Sequence, residues 1–130
     1  MILPKLSAAI LSMSFLGSAY AASNMDPDIS LVDWVVMSGA TNGAADALGV
    51  GTEERKKHRT TAQSHLMRYA SEHGVQLVGF DLLFERGIVE GKKLAQDRRH
   101  ILARKQQDLI NGFQHDTSID YQNVKKALDT

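Results

Sequence analysis

Cysteine is absent from this chain of 130 residues, which removes disulfide scaffolds, thiolate metal sites, cysteine nucleophiles and lipid attachment through a cysteine. An excess of charge of either sign is also missing. The 15 Lys and Arg balance 15 Asp and Glu, so nothing at the scale of the whole chain draws it to nucleic acid or to an anionic membrane. Proline is confined to Pro4 and Pro27, and no repeat or low-complexity tract interrupts the chain. The recognisable catalytic signatures are lacking too: no GxSxG elbow, no HExxH, no Walker loop, and no strand that would make Gly49-Val50-Gly51 a dinucleotide site.

The clearest feature present is at the start. Lys5 precedes an apolar run from Leu6 to Leu16, followed by Gly17, Ser18 and Ala19-Tyr20-Ala21. This predicts a secretory signal peptide over residues 1–21, cleaved before Ala22, because the run is well short of the roughly 20 residues that span a bilayer. The remainder, residues 22–130, is expected to form a single helical domain with no membrane span, in the periplasm or beyond it. Without cysteine, such a domain is held by packing alone in an oxidising compartment.

The pattern predicts an all-α domain of four to five helices. A first helix follows Asp28 or Ser30 as N-cap and runs to about Leu48, with Val32, Val36, Ala40, Gly43 and Ala47 on one face. Gly39 and Gly43 form a small-xxx-small pair that lets another backbone approach. Tight packing within the chain is favoured there over a homodimer seam. Thr52 is expected to cap a second helix, with Glu53 and Glu54 at its positive end and Gly74 as its stop. Residues 75–89 are expected to form a helix apolar all round, with Val75 to Phe80 open to a strand reading. After Gly87 a long helix should run to about Phe113, with Ile88, Gly91, Leu94, Ala95, Leu102, Leu109 and Phe113 on one side. A turn over His115 to Ser118 and a short helix sharing Tyr121, Val124 and Leu128 close the chain.

Three histidines, His58, His65 and His73, fall on one stripe of the second helix together with Tyr69. His58 and His65 are seven residues apart, about 10 Å of rise, so one zinc ion cannot bridge them, and hydrogen-bonded helix margins are the favoured reading over a metal or pH sensor. The basic run Arg55-Lys56-Lys57-His58-Arg59 reads as a solvated face beside Glu53 and Glu54. Asp81, Glu85 and Glu90 read as helix-surface acids, with a general acid and base pair as the alternative. Trp34 reads first as a core residue and second as a binding anchor.

In size, export and helical make-up the chain is similar to small envelope proteins that neutralise secreted toxins or serve secretion and conjugation machines. The likeness is one of type and is carried by no motif; the cysteines that many such inhibitors hold are absent. The expectation is a protein that uses no cofactor or metal and works without catalysis by binding an envelope protein partner, with Trp34, Arg55, His58, His65, Tyr69, Arg98 and Lys105 as the candidate contacts. A small envelope enzyme acting on peptidoglycan through Asp81, Glu85 or Glu90 is the alternative, and a carrier of a small apolar ligand is a third.

Overall fold

The computed structural model describes residues 27–97 and 103–129. These residues form five helices and no strand: α1 (Pro27–Ala47), α2 (Thr52–Glu72), α3 (Phe80–Asp97), α4 (Ala103–Ser118) and α5 (Tyr121–Asp129). The signal-peptide segment, Arg98 and Leu102 lie outside the described residues.

Helix α1 starts at Pro27, where the fixed φ of proline suits the first helical position and its missing N–H costs nothing. Gly51 occupies the N-cap of α2 and offers no side chain, so the expected capping by Thr52 does not occur; Thr52 is the first helical residue and its hydroxyl accepts from Arg55 instead. Glu53 and Glu54 sit in the first turn as expected. Gly74, at φ +65°, ends α2 in the left-handed conformation.

Two expectations are corrected between residues 75 and 113. Residues 75–79 are neither helix nor strand but a link, and Phe80 opens α3. Gly87 does not divide two helices. It lies inside α3, which ends at Asp97, and the expected long helix is two, α3 and α4. Gly87 is kept because of what lies opposite. A Cβ on Gly39 or Gly43 would run into the carbonyl oxygens of Phe84 and Ile88, and a Cβ on Gly87 or Gly91 into those of Val36 and Ala40. The four glycines therefore form one seam on which α1 and α3 lie backbone to backbone. Residue numbers rise together along it, so the two helices run in the same direction. The Gly39/Gly43 face is filled by α3 of the same chain.

Helix α2 returns antiparallel to both, closing a core of Leu31, Val35, Leu66, Ala70, Phe80 and Phe84, with Phe84 and Val35 wholly buried. Burying such side chains contributes about 1.5–3 kcal/mol each. Helix α4 lies against α2 and α1, directing Leu109 and Phe113 inward, and α5 lies against α2 with Leu128 reaching the core.

Candidate functional site

The histidine stripe of α2 is occupied by the rest of the chain. His58 is 1% exposed, stacked on Phe113 of α4 at 4.6 Å and tilted against Phe84 of α3 at 6.3 Å. Its Nδ1 lies 3.0 Å from Asn42 Nδ2 of α1, and the same Asn42 nitrogen donates to the Arg55 carbonyl at 2.8 Å. A carbonyl can only accept, so it fixes the orientation of the Asn42 amide; Nδ1 must then be an acceptor and the ring proton sits on Nε2. That nitrogen faces Asp116 at 3.9 Å.

His65 and His73 serve the seam between α2 and α5. His65 Nε2 donates to the Ile119 carbonyl at 2.9 Å, and His73 Nδ1 donates to its own helix at Tyr69 O, 3.0 Å away. Tyr69 stacks on His73 and donates to Asp129 at 2.7 Å; Tyr121 donates to Glu72 at 2.7 Å beneath the guanidinium of Arg68, which stands 4.0 Å from its ring. Burial, then the hydrogen bond to Asp129 and its charge, push the Tyr69 hydroxyl up to about 12. Burial and then Glu72 push Tyr121 to about 12 as well. Glu72 is held below the ordinary glutamate value, first by the Tyr121 hydrogen bond and then, against some burial, by Arg68 and Lys125. The stripe is thus a docking strip for the rest of the chain, taking α1, α3 and α4 at His58 and α5 with the link before it at the far end, its nitrogens aimed at separate partners. Among the described residues no cluster of three or more His, Asp or Glu could hold a metal ion.

The candidate acids are divided. Asp81 and Glu85 both accept from Arg59, at 3.0 and 2.6 Å, and Arg59 lies over the Phe84 ring at 5.0 Å. Burial lowers the Arg59 pKa, but the hydrogen bonds to Glu85 and Asp81 outweigh it and hold the guanidinium above its ordinary value. These acids therefore clamp α2 to α3, while Glu90 stands exposed a turn further on.

The remaining predicted contacts are not brought together. Trp34 is half-buried against the core. Arg55 donates to the Val50 carbonyl at 3.1 Å and pairs with Asp46 at 3.7 Å, which also holds Lys92. Lys105 is exposed on α4, and Arg98 lies outside the described residues. A cleft of about 240 Å³ opens between the start of α2 and the end of α4, floored by Phe113 and Val50 and rimmed by Glu54, Lys57 and Thr117.

The surface that sequence reasoning missed is the outer face of α3. Leu82 is 78% exposed and Val89 62%, with Val78 at 74% in the link just before the helix. A helix reading carried from Phe80 past Val89 to Lys93 would have found it, because Leu82, Arg86, Val89 and Lys93 recur at intervals of four, three and four. No helix among the described residues is long and apolar enough to cross a membrane. Comparison of the chain with protein-family models, with curated proteins and with solved structures finds no match.

Proposed function

We propose that the protein acts without catalysis, by binding an envelope protein partner in the periplasm, and that the outer face of α3 is the contact surface. One observation carries this reading: Leu82 and Val89 stand in solvent on one line of a helix whose opposite side is locked glycine to glycine against α1. Single exposed apolar residues are ordinary, and what sets this pair apart is its alignment on one rigid element, which offers a partner two apolar contacts at fixed spacing. The polar residues that could have served a site instead, His58, Asp81 and Glu85 among them, are engaged in holding helices together. The export expectation places the partner in the envelope.

The test is site-specific photo-crosslinking in the producing cell, with a photoreactive residue at position 82, at position 89, or at the exposed Gln63 of α2. Adducts with one protein from 82 and 89, and none from 63, are expected. Equal labelling from all three positions, or no adduct from 82 and 89, removes the reading.

A further inference from the structure

Along α3, apolar and cationic side chains alternate on one line: Leu82, Arg86, Val89, Lys93. At 100° per residue the four fall within an arc of about 60°, and at 1.5 Å per residue they extend over about 16 Å. All four are exposed. The carboxylates on one flank, Asp81 and Glu85, are drawn away by Arg59 of α2, and on the other flank Glu90 alone stands exposed. Among the described residues neither Arg86 nor Lys93 makes an ion pair, whereas the neighbouring Lys92 is held by Asp46. The line therefore presents two cations seven residues apart, interleaved with two apolar contacts seven residues apart.

Resting on the reading of this face as the contact surface, we infer that its partner is a protein helix bearing carboxylates: apolar side chains seated on Leu82 and Val89, acidic ones on Arg86 and Lys93. The complement is a helix with leucine-like and acidic residues alternating at spacings of three and four, since only that period keeps both sets in line. Such a contact gains its specificity from the cations and its area from the apolar pair. A second copy of this chain fits less well, because it brings the same two cations, and with Asp81 and Glu85 taken by Arg59 only Glu90 beside Val89 is left to meet them. An anionic bilayer is the weaker occupant as well, since a chain of zero net charge with two apolar residues on the line has little to hold it there.

The experiment titrates the protein, followed by amide chemical shifts along α3, with a synthetic helical peptide carrying Leu and Glu alternately at that spacing, and with its Leu/Lys counterpart. Binding of the Leu/Glu peptide alone is expected, weakening with salt and falling about tenfold or more in an R86E/K93E variant, as for charge pairs worth at least 1.4 kcal/mol. An L82S/V89S variant should lose it similarly; circular dichroism of both variants confirms that these exposed positions leave the fold unchanged. Equal binding of the two peptides, binding of neither, or indifference to R86E/K93E overturns the inference. So do partition onto phosphatidylglycerol/phosphatidylethanolamine vesicles without peptide binding, which makes the occupant a membrane, and a sedimenting dimer that L82S/V89S dissolves, which makes it a second copy. Crosslinking from position 82 that survives R86E/K93E would leave the contact surface standing and remove only its acidic partner chemistry. Absence of any adduct removes the surface itself.

Discussion

Asn42 and His58 show what a buried polar pair demands of its neighbours. Each Asn42 amide hydrogen has its own acceptor, one on the Arg55 carbonyl and one on the imidazole, and both residues are almost wholly buried. Replacing Asn42 by Ala strips both acceptors at once and leaves the His58 Nδ1 lone pair unmet in an apolar setting. The expected loss is about 1–3 kcal/mol, read from urea unfolding, with the slope of the transition unchanged. Asn42→Asp, which keeps the volume and offers only acceptors, should not restore the loss at neutral pH, since it sets oxygen against the Arg55 carbonyl. A full rescue by Asp would show that the amide nitrogen is not what the site requires.

At the scale of elements, two seams differ in kind. The α1–α3 seam is steric. Glycine in a helix interior is ordinarily about 1 kcal/mol worse than alanine, so Gly→Ala there should help. At Gly39, Gly43, Gly87 and Gly91 the added Cβ meets a backbone carbonyl that cannot turn aside. Gly87→Ala is therefore expected to destabilise by about 1–3 kcal/mol, the range for overpacking, and Gly87→Leu to prevent native packing; thermal unfolding measures both. A gain in melting temperature from Gly87→Ala would contradict the seam. The α2–α5 seam is polar and answers to pH from both sides. Tyr69 and Tyr121 keep their protons to about 12 when folded, whereas an unfolded phenol yields its proton near 10.0. Between those values the unfolded state binds fewer protons, so stability is complete below about 10 and falls as pH rises toward 12. Glu72 has the opposite sign: its folded pKa lies below the ordinary glutamate value, so its contribution is present above that value and is lost as acid protonates it. In a chain beginning at Ala22 these are the only two tyrosines, and Tyr121→Phe leaves Tyr69 alone. Its phenolate absorbance should then appear near 12; a midpoint near 10 would mean that α5 does not cover it.

The whole molecule explains what was and was not legible from residues alone. The all-helical class, the Gly74 stop, the acidic first turn of α2 and the inward faces of α4 and α5 follow from local signals, and they stand. The stripe His58, His65, Tyr69 and His73 was also legible as a face, although what it meets, Phe113 at one end and α5 at the other, was not. Gly87 misled because its local cost is certain and its compensation lies in α1; only matching the Gly39/Gly43 pair with Gly87/Gly91 would have exposed it. Reading residues 75–89 as apolar all round hid the outer face, since Leu82 and Val89 count as core there until Arg86 and Lys93 are placed on the same line. A double Leu82→Ser, Val89→Ser change is accordingly expected to alter unfolding free energy by less than about 0.5 kcal/mol, as for surface positions. A loss of several times that amount in a denaturant titration would return these residues to the interior.

The glycine seam also has a consequence in time. Gly87 follows Gly39 by 48 residues, so wherever the chain emerges from its first residue onward, α1 is free before the backbone that fits its groove. During that interval α1 has no partner for its main-chain stripe, and its two glycines leave it a poor helix alone. The seam therefore ties the lasting order of α1 to the arrival of α3, so that an early element of the chain is expected to wait on a later one.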